Sequence, residues 1–183
     1  MGKTVTIHQP AYLPWLGYFD KIVAADVFVF LDSVQFGKNS FTNRNKVKTA
    51  NGPVWLTVPL RTKGHTKRIL RDIEISPDPR WKKKHIETIR QSYTQTPYFD
   101  QYFGAVERFI LEADKSFCDF VYEMTLYFLA TLGIQTKVIR SSRLRVTGKK
   151  SRLIENLCVH LDADLYISGP FGRTYLELPR FAT

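Results

Sequence analysis

The chain has 183 residues, of which 44% are hydrophobic and 14% are aromatic, so its size and composition predict one globular domain over 1–183. No apolar run approaches the roughly 20 residues of a membrane span, and no signal-peptide pattern precedes the first strand. Cys118 and Cys158 lie in apolar helical pattern, which indicates a reducing, cytoplasmic setting. The formal net charge of +10 predicts an anionic partner: nucleic acid, a membrane surface, an acidic carrier protein or a phosphorylated small molecule.

The first predicted element is a βαβ unit. Thr4–His8 alternates as a strand, Trp15–Ala24 has helical spacing, and Val27–Leu31 is a continuous apolar run. Continuous runs of this kind are typical of parallel strands that are covered on both faces. The crossover between the two strands is therefore expected to be right-handed.

The middle of the chain predicts a hairpin followed by helices. Asn51-Gly52 separates two β-prone runs, and the isoleucines of "ILRDIEIS" (69–76) keep strand parity. Helical patterns follow, and they form a helical insertion near 80 to 132. Their predicted ranges are Trp81–Tyr93, Phe103–Glu112 and Ser116–Leu132.

The last third returns to the alternation of strand and helix. The segment 136–140 reads as a strand, Ser151–Leu161 as an amphipathic helix, and "DLYISG" (164–169) as a final strand. The order of elements predicts a Rossmann-like, mainly parallel sheet with helices on both faces.

The loop after the first strand has the composition of a ligand site. In "IHQPAYLPWLGYFDKI" (7–22), two prolines shape the connection, and shaped loops at strand ends bind ligands in α/β proteins. His8 is a candidate general acid/base or a donor to a phosphate oxygen, and a structural histidine is the alternative. Gln9 would supply a polar contact, and Tyr12, Trp15 or Tyr18 a stacking face. At least one of these aromatics should face the core, and we expect it to be Trp15. The other histidines, His65, His85 and His160, read as loop or helix-surface residues.

Two further stretches carry candidate site residues. Asp32 ends the second strand and would orient His8, bind a hydroxyl group or cap the segment that follows. The stretch 32–45 interleaves two phenylalanines with amides and cations, and the residues that we assign there to substrate are Gln35, Lys38, Asn43 and Arg44.

"YISGPFGRTYL" (166–176) follows the last strand and adds Ser168, Gly169 and Arg173 as anion-binding candidates. It matches no standard glycine-rich phosphate loop, and the sequence identifies no cofactor and no metal site. We expect all these candidates to converge at the carboxyl end of the sheet.

The motifs "HQPAYLPWLGYFDKI", "FVFLDSVQF", "NRNKV", "WLTVPL", "DIEIS" and "YISG" resemble, in order and spacing, the WbqC-like family of bacterial surface-polysaccharide and O-antigen gene clusters. The resemblance implies a cytoplasmic enzyme, a transferase, that acts on an activated, nucleotide-linked sugar. Acyl or aminoacyl transfer to an amino sugar is the reaction it suggests. Members of the family extend beyond the "YL" stretch, so the resemblance also implies that a C-terminal portion is absent here.

A more distant likeness concerns the nucleotidylyltransferase-like fold. "PWLGYFDKI" and "ISGPFGR" are similar in place to two nucleotide-binding turns of that superfamily. Trp15 and Tyr18 stand where its two catalytic histidines would be, which argues against nucleotidyl transfer itself. Two alternatives to an enzyme remain: a nucleic-acid-binding module, and a non-catalytic partner of a carrier protein in polysaccharide assembly.

Overall fold

The computed structural model describes residues 2–37, 40–61, 68–114, 116–177 and 181. The chain divides into two compact units. We call them the sheet unit (Met1–Gln9, Trp15–Ser33 and Leu129–Thr183) and the hairpin unit (Pro10–Pro14 and Val34–Phe128). That residues 1–183 form a single domain stays a prediction.

Six strands and five α-helices occur in the described ranges. The strands are β1 (Thr4–His8), β2 (Val27–Phe30), β3 (Arg44–Thr49), β4 (Gly52–Thr57), β5 (Lys137–Arg140) and β6 (Leu165–Ile167). The helices are α1 (Leu16–Val23), α2 (Arg80–Tyr93), α3 (Phe99–Glu112), α4 (Phe117–Thr131) and α5 (Ser151–His160).

The sheet unit is built on four parallel strands in the order β5-β2-β1-β6. Thr6 of β1 lies opposite Phe28 of β2 on one side and Ile167 of β6 on the other. In chain order the four strands run 3-2-1-4, which is the doubly wound pattern of Rossmann-like sheets. The predicted parallel α/β sheet is confirmed.

Helices cover the sheet from both sides. The crossover from β1 to β2 and the crossover from β5 to β6 run in opposite directions along the sheet. Because parallel crossovers are right-handed, α1 and α5 lie on opposite faces. Each presents an apolar stripe: α1 buries Tyr18, Phe19 and Ile22, and α5 buries Leu153, Ile154, Leu157 and Cys158.

The hairpin unit begins with the hairpin that Asn51-Gly52 predicts. Strands β3 and β4 pair antiparallel from Arg44 opposite Thr57 to Thr49 opposite Gly52. Gly52 has a φ of 100°, a left-handed conformation that a residue without Cβ adopts at little cost. The inserted segment therefore starts well before residue 80 and contains a hairpin as well as helices.

The strand predicted over 69–76 is wrong. Leu70–Asp72 forms a 3₁₀ turn instead, in which the Asp72 and Ile73 amides donate to the carbonyls of Ile69 and Leu70. Among the described residues, isolated bridges of Ile69, Glu74 and Ile75 flank this turn in place of a regular strand. Two of the three alternating isoleucines, Ile73 and Ile75, are buried at 1% and 5% exposure, whereas Ile69 is half-buried. Leu70, which is out of step with them, is fully buried, and the turn satisfies backbone groups that a strand would have paired.

A buried polar pair lies in the core of the hairpin unit. Tyr12 and His85 are 0% and 2% exposed, and a hydrogen bond of 2.8 Å joins the Tyr12 hydroxyl to His85 Nδ1. Burial lowers the pKa of His85 to about 4, while a hydrogen bond with the Thr57 backbone opposes the shift. The surface assignment of His85 is wrong, because Trp81 and His85 are four residues apart on the buried side of α2.

Replacing Tyr12 by Phe should lower the free energy of unfolding by about 1 to 3 kcal/mol, because the buried His85 Nδ1 loses its hydrogen-bond partner. Urea unfolding measures the change. Tyr98→Phe is the matched control, since the Tyr98 side chain is 67% exposed. Equal unfolding free energies for the two variants would contradict the assignment.

Candidate functional site

The four parallel strands end at one edge of the sheet, which we call the carboxyl edge. His8 ends β1, Asp32 follows β2, Ser141 follows β5 and Ser168 follows β6. The common direction of these strands is as predicted. The strand order reverses between β1 and β6, and doubly wound proteins bind ligands in the crevice at such a point. The ends of β1 and β6 are therefore the candidate ligand site.

His8 is held in one orientation and one tautomer. Its Nδ1 lies 2.8 Å from the Gln9 carbonyl oxygen, and because a carbonyl only accepts, Nδ1 carries the proton and Nε2 is the acceptor. Burial lowers the pKa of His8 to about 4, the nearby Lys21 ammonium adds to the shift, and the Gln9 bond opposes it. His8 is thus neutral at neutral pH, and its Nε2 can accept a hydrogen bond but has no proton to donate to a phosphate oxygen.

The aromatic residues of the connection after β1 differ from the prediction in which rings are buried and which ring is exposed. Tyr12 and Tyr18 are 0% and 1% exposed, whereas Trp15, which we expected in the core, is 40% exposed. Trp15 precedes α1 with extended backbone, so its indole is not part of the helix's apolar stripe. Its ring meets His8 edge-on at 5.6 Å between centroids. Of these three rings, Trp15 presents the accessible face.

Asp32 fastens the end of β2 to the end of β5. The carboxylate is 0% exposed and accepts hydrogen bonds from Arg140 Nε (2.7 Å), Ser141 Oγ (3.0 Å) and the Ser142 amide and hydroxyl (2.8 Å each). The Gln9 carbonyl, and not Asp32, is the group that orients the His8 ring. The residues of "RSS" at 140–142 were not singled out from the sequence as partners of Asp32, because their contact requires β5 to lie beside β2.

The end of β6 is a tight turn. The Ser168 hydroxyl donates to the Gly169 carbonyl over 2.9 Å, and a 3₁₀ turn begins at Pro170. A side chain at Gly172 would collide with Ser168 Oγ, so the close approach of these residues requires glycine. Arg173 is exposed on the same turn. Ser168, Gly169 and Arg173 thus follow the strand that borders β1.

The remaining predicted residues belong to the hairpin unit. Gln35 bridges to Ile69, the Asn43 amide donates to the Val58 carbonyl over 2.8 Å, and the Arg44 guanidinium lies 4.5 Å from the Trp55 ring centroid. Lys38 lies outside the described residues. Convergence of these residues with the carboxyl edge of the sheet stays a prediction.

Lys21 is a second group that sequence reasoning missed. Its side chain is only 8% exposed, and Nζ donates to the Ile7 carbonyl over 3.1 Å. Burial lowers the pKa of the ammonium to about 8. Helical spacing could have indicated that Lys21 is buried, because it lies three residues after Tyr18 and within the apolar stripe of α1.

Comparison with known proteins identifies the family of this chain. The model of the WbqC-like protein family matches residues 9–183. The chain belongs to this family. The WbqC-like chain is 31% identical over 176 residues to Rv1507c, an uncharacterized protein of Mycobacterium tuberculosis, and the match covers 96% of this chain and 76% of that protein. No solved structure matches it. Within the described ranges, no helix of this WbqC-like protein has the length and apolarity needed to cross a membrane.

The depressed pKa of His8 predicts a loss of stability in acid. Between pH 6.5 and about 4, the unfolded chain binds a proton at residue 8 that the folded chain does not bind. The contribution of neutral His8 to the free energy of unfolding is therefore fully present above pH 6.5 and is lost as the pH falls through about 4.

Urea unfolding across this window tests the prediction. His8→Gln should show a shallower fall in unfolding free energy than the wild type, and the fall that His85 causes should persist. His160→Gln, on the exposed end of α5, is the control. An unchanged slope in His8→Gln would show that the folded protein protonates His8 normally.

Proposed function

We propose that this protein is a cytoplasmic transferase that binds an activated, nucleotide-linked sugar at the carboxyl edge of its parallel sheet. The observation that carries the proposal is His8, a neutral imidazole of fixed tautomer at the end of β1, beside the point where the strand order reverses. Membership of the WbqC-like family supports surface-polysaccharide synthesis as the setting, through the resemblance of the motifs.

His8 acts as the general base in this proposal. Its Nε2 accepts the proton from a hydroxyl or amine of the sugar as that group attacks the transferred carbonyl, and the leaving group departs with its bonding electrons. A pKa of about 4 makes the ligand-free imidazole a weak base. A bound anion close to the ring would raise this pKa toward neutrality, so the base would become effective only with substrate present.

The neighbouring residues have supporting roles. Trp15 offers a ring face on which a base or sugar can stack, and Gln9 offers a polar contact. The turn after β6, with the exposed Arg173, offers a place to bind an anion. Asp32 is a positioning residue, since its carboxylate is engaged by the end of β5. Acyl or aminoacyl transfer to an amino sugar is the finer form of the proposal, and it rests on the family resemblance.

A second candidate, binding of single-stranded nucleic acid, has one observation in its favour. On the hairpin, Arg44 and Lys46 lie 4.5 and 5.0 Å from the Trp55 ring centroid, and Phe41 lies 5.6 Å from the same ring. Exposed aromatics between cations are the usual platform for stacked bases. The cations cover part of the Trp55 ring, however, so we expect such binding to be weak and independent of sequence.

His8→Ala should reduce turnover or ligand affinity at least about tenfold (~1.4 kcal/mol), because the proton acceptor is lost. The free energy of unfolding should change by less than about 1 kcal/mol, since a half-buried histidine contributes little packing. The ligand is found first by thermal shift over nucleotides, nucleotide-sugars and acyl donors. A ligand at roughly 100 times its Kd should add about 2.7 kcal/mol of stability.

The decisive measurement pairs denaturation with ligand titration on the same protein. His160→Ala, which removes an exposed histidine, is the control and should behave as wild type. If His8→Ala unfolds readily while its folded fraction binds normally, His8 is a structural residue and the proposed function fails. Tight binding of single-stranded nucleic acid at physiological salt would favour the second candidate instead.

A further inference from the structure

The Lys21 side chain reaches the carboxyl edge from the middle of α1. Its Nζ lies 3.1 Å from the carbonyl oxygen of Ile7, the residue before His8. Helical side chains tilt toward the helix N-terminus, and α1 starts at the end of the sheet where β1 stops. The long lysine chain therefore runs back along the sheet and delivers its ammonium to the strand end.

The Ile7 carbonyl faces the gap between β1 and β6. Carbonyls of alternate residues in a strand point to the same neighbour, and the Lys3 carbonyl accepts from Leu165 at the start of β6. Ile7 lies four residues after Lys3, so its carbonyl points to the same side of β1. Ile7 also lies one residue beyond the last β1–β6 pair, which is formed by Thr6 and Ile167. The Lys21 ammonium thus takes the place of a β6 amide at the reversal of the strand order.

This ammonium has no counter-charge in the described part of the chain. No carboxylate there lies within ion-pair distance of Lys21, and burial is the cause of its lowered pKa. Arg140, at the same edge, is paired with Asp32 at 2.7 Å. A buried cation without a partner is costly, and the Ile7 carbonyl supplies a dipole but no charge. Since its pKa is about 8, Lys21 still carries its proton at neutral pH.

We propose that Lys21 is the anion receptor of the carboxyl-edge site and that it binds the phosphoryl or pyrophosphoryl group of the ligand. The inference rests on the proposed function and names the part of the substrate that this edge recognises. A pyrophosphoryl group carries two charges, and the exposed Arg173 on the turn after β6 is available as a second cation. An anion bound by Lys21 would offset the ammonium charge that contributes to the lowered pKa of His8, and would thereby raise the basicity of the imidazole.

Titration calorimetry with inorganic pyrophosphate, at constant ionic strength, tests the proposal. Lys21→Met keeps the length of the side chain and removes the charge, and it should weaken pyrophosphate binding at least tenfold. Lys3→Met is the matched control, because Lys3 Nζ also donates to a backbone carbonyl, that of Leu161, at the opposite edge of the sheet. It should change the affinity less than twofold.

Chemical denaturation of the same variants separates a binding role from a structural one. Lys21→Met should have a nearly unchanged denaturation midpoint, because removal of a buried charge without a counter-ion offsets loss of the hydrogen bond to the Ile7 carbonyl. A lowered midpoint together with wild-type affinity would make Lys21 a structural residue and overturn the proposal.

Failure of the wild type to bind pyrophosphate at millimolar concentration would also overturn the proposal. Neither of these results removes His8 as the proposed base, because the His8→Ala titration with the stabilising ligand tests that role separately.

Discussion

The carboxyl edge depends on one constraint: backbone groups that lie past the last strand pair must still find hydrogen-bond partners. Several side chains meet this requirement in the described part of the sheet unit, and three of them act at the ends of β1 and β2. Lys21 donates to the Ile7 carbonyl, His8 to the Gln9 carbonyl, and the Ser141 hydroxyl accepts from the Asp32 and Ser33 amides. Each side chain that completes the backbone is thereby fixed in place. The chemical groups of the candidate site are therefore preorganised by the way in which the sheet ends.

Two of these three groups are titratable, and burial disfavours the charge of both. His8 and Lys21 have pKa values lowered to about 4 and about 8, and the Lys21 ammonium contributes to the shift of His8. Such an arrangement does not favour folding in the absence of a ligand. Groups with perturbed pKa values cluster where function requires them, often at the expense of stability. An anion at this edge would relieve both groups at once, which links the two proposals physically.

The local sequence pattern was sufficient to predict most of the secondary structure. Strand β1 begins and ends where the alternation of Thr4–His8 placed it, and the turn at Asn51-Gly52 located the hairpin. The pattern failed at Ile69 to Ile75, since alternation reports burial and a 3₁₀ turn can bury the same side chains. It also failed for His85 and Lys21, because a polar residue within an apolar stripe reads as surface unless its buried partner is known.

The candidate site was predictable only in part, because its pieces depend on tertiary neighbours. That His8 and Ser168 follow strands at one edge follows from a parallel sheet alone. The partners of Asp32 could not be predicted, since they require β5 to lie beside β2, more than 100 residues away in the chain. The exposed face of Trp15 depends on Tyr18 taking the sheet-facing position of α1.

The three tryptophans provide the most direct measurement of where a ligand binds. Trp15 is at the carboxyl edge, Trp55 on the hairpin and Trp81 in the core of the hairpin unit, and each gives one indole N–H signal in a ¹⁵N–¹H correlation spectrum. Titration with the nucleotide-linked sugar that stabilises the protein most should shift the Trp15 signal and leave Trp55 and Trp81 in place. A shift of Trp55 with Trp15 unmoved would contradict a site at the carboxyl edge of the sheet.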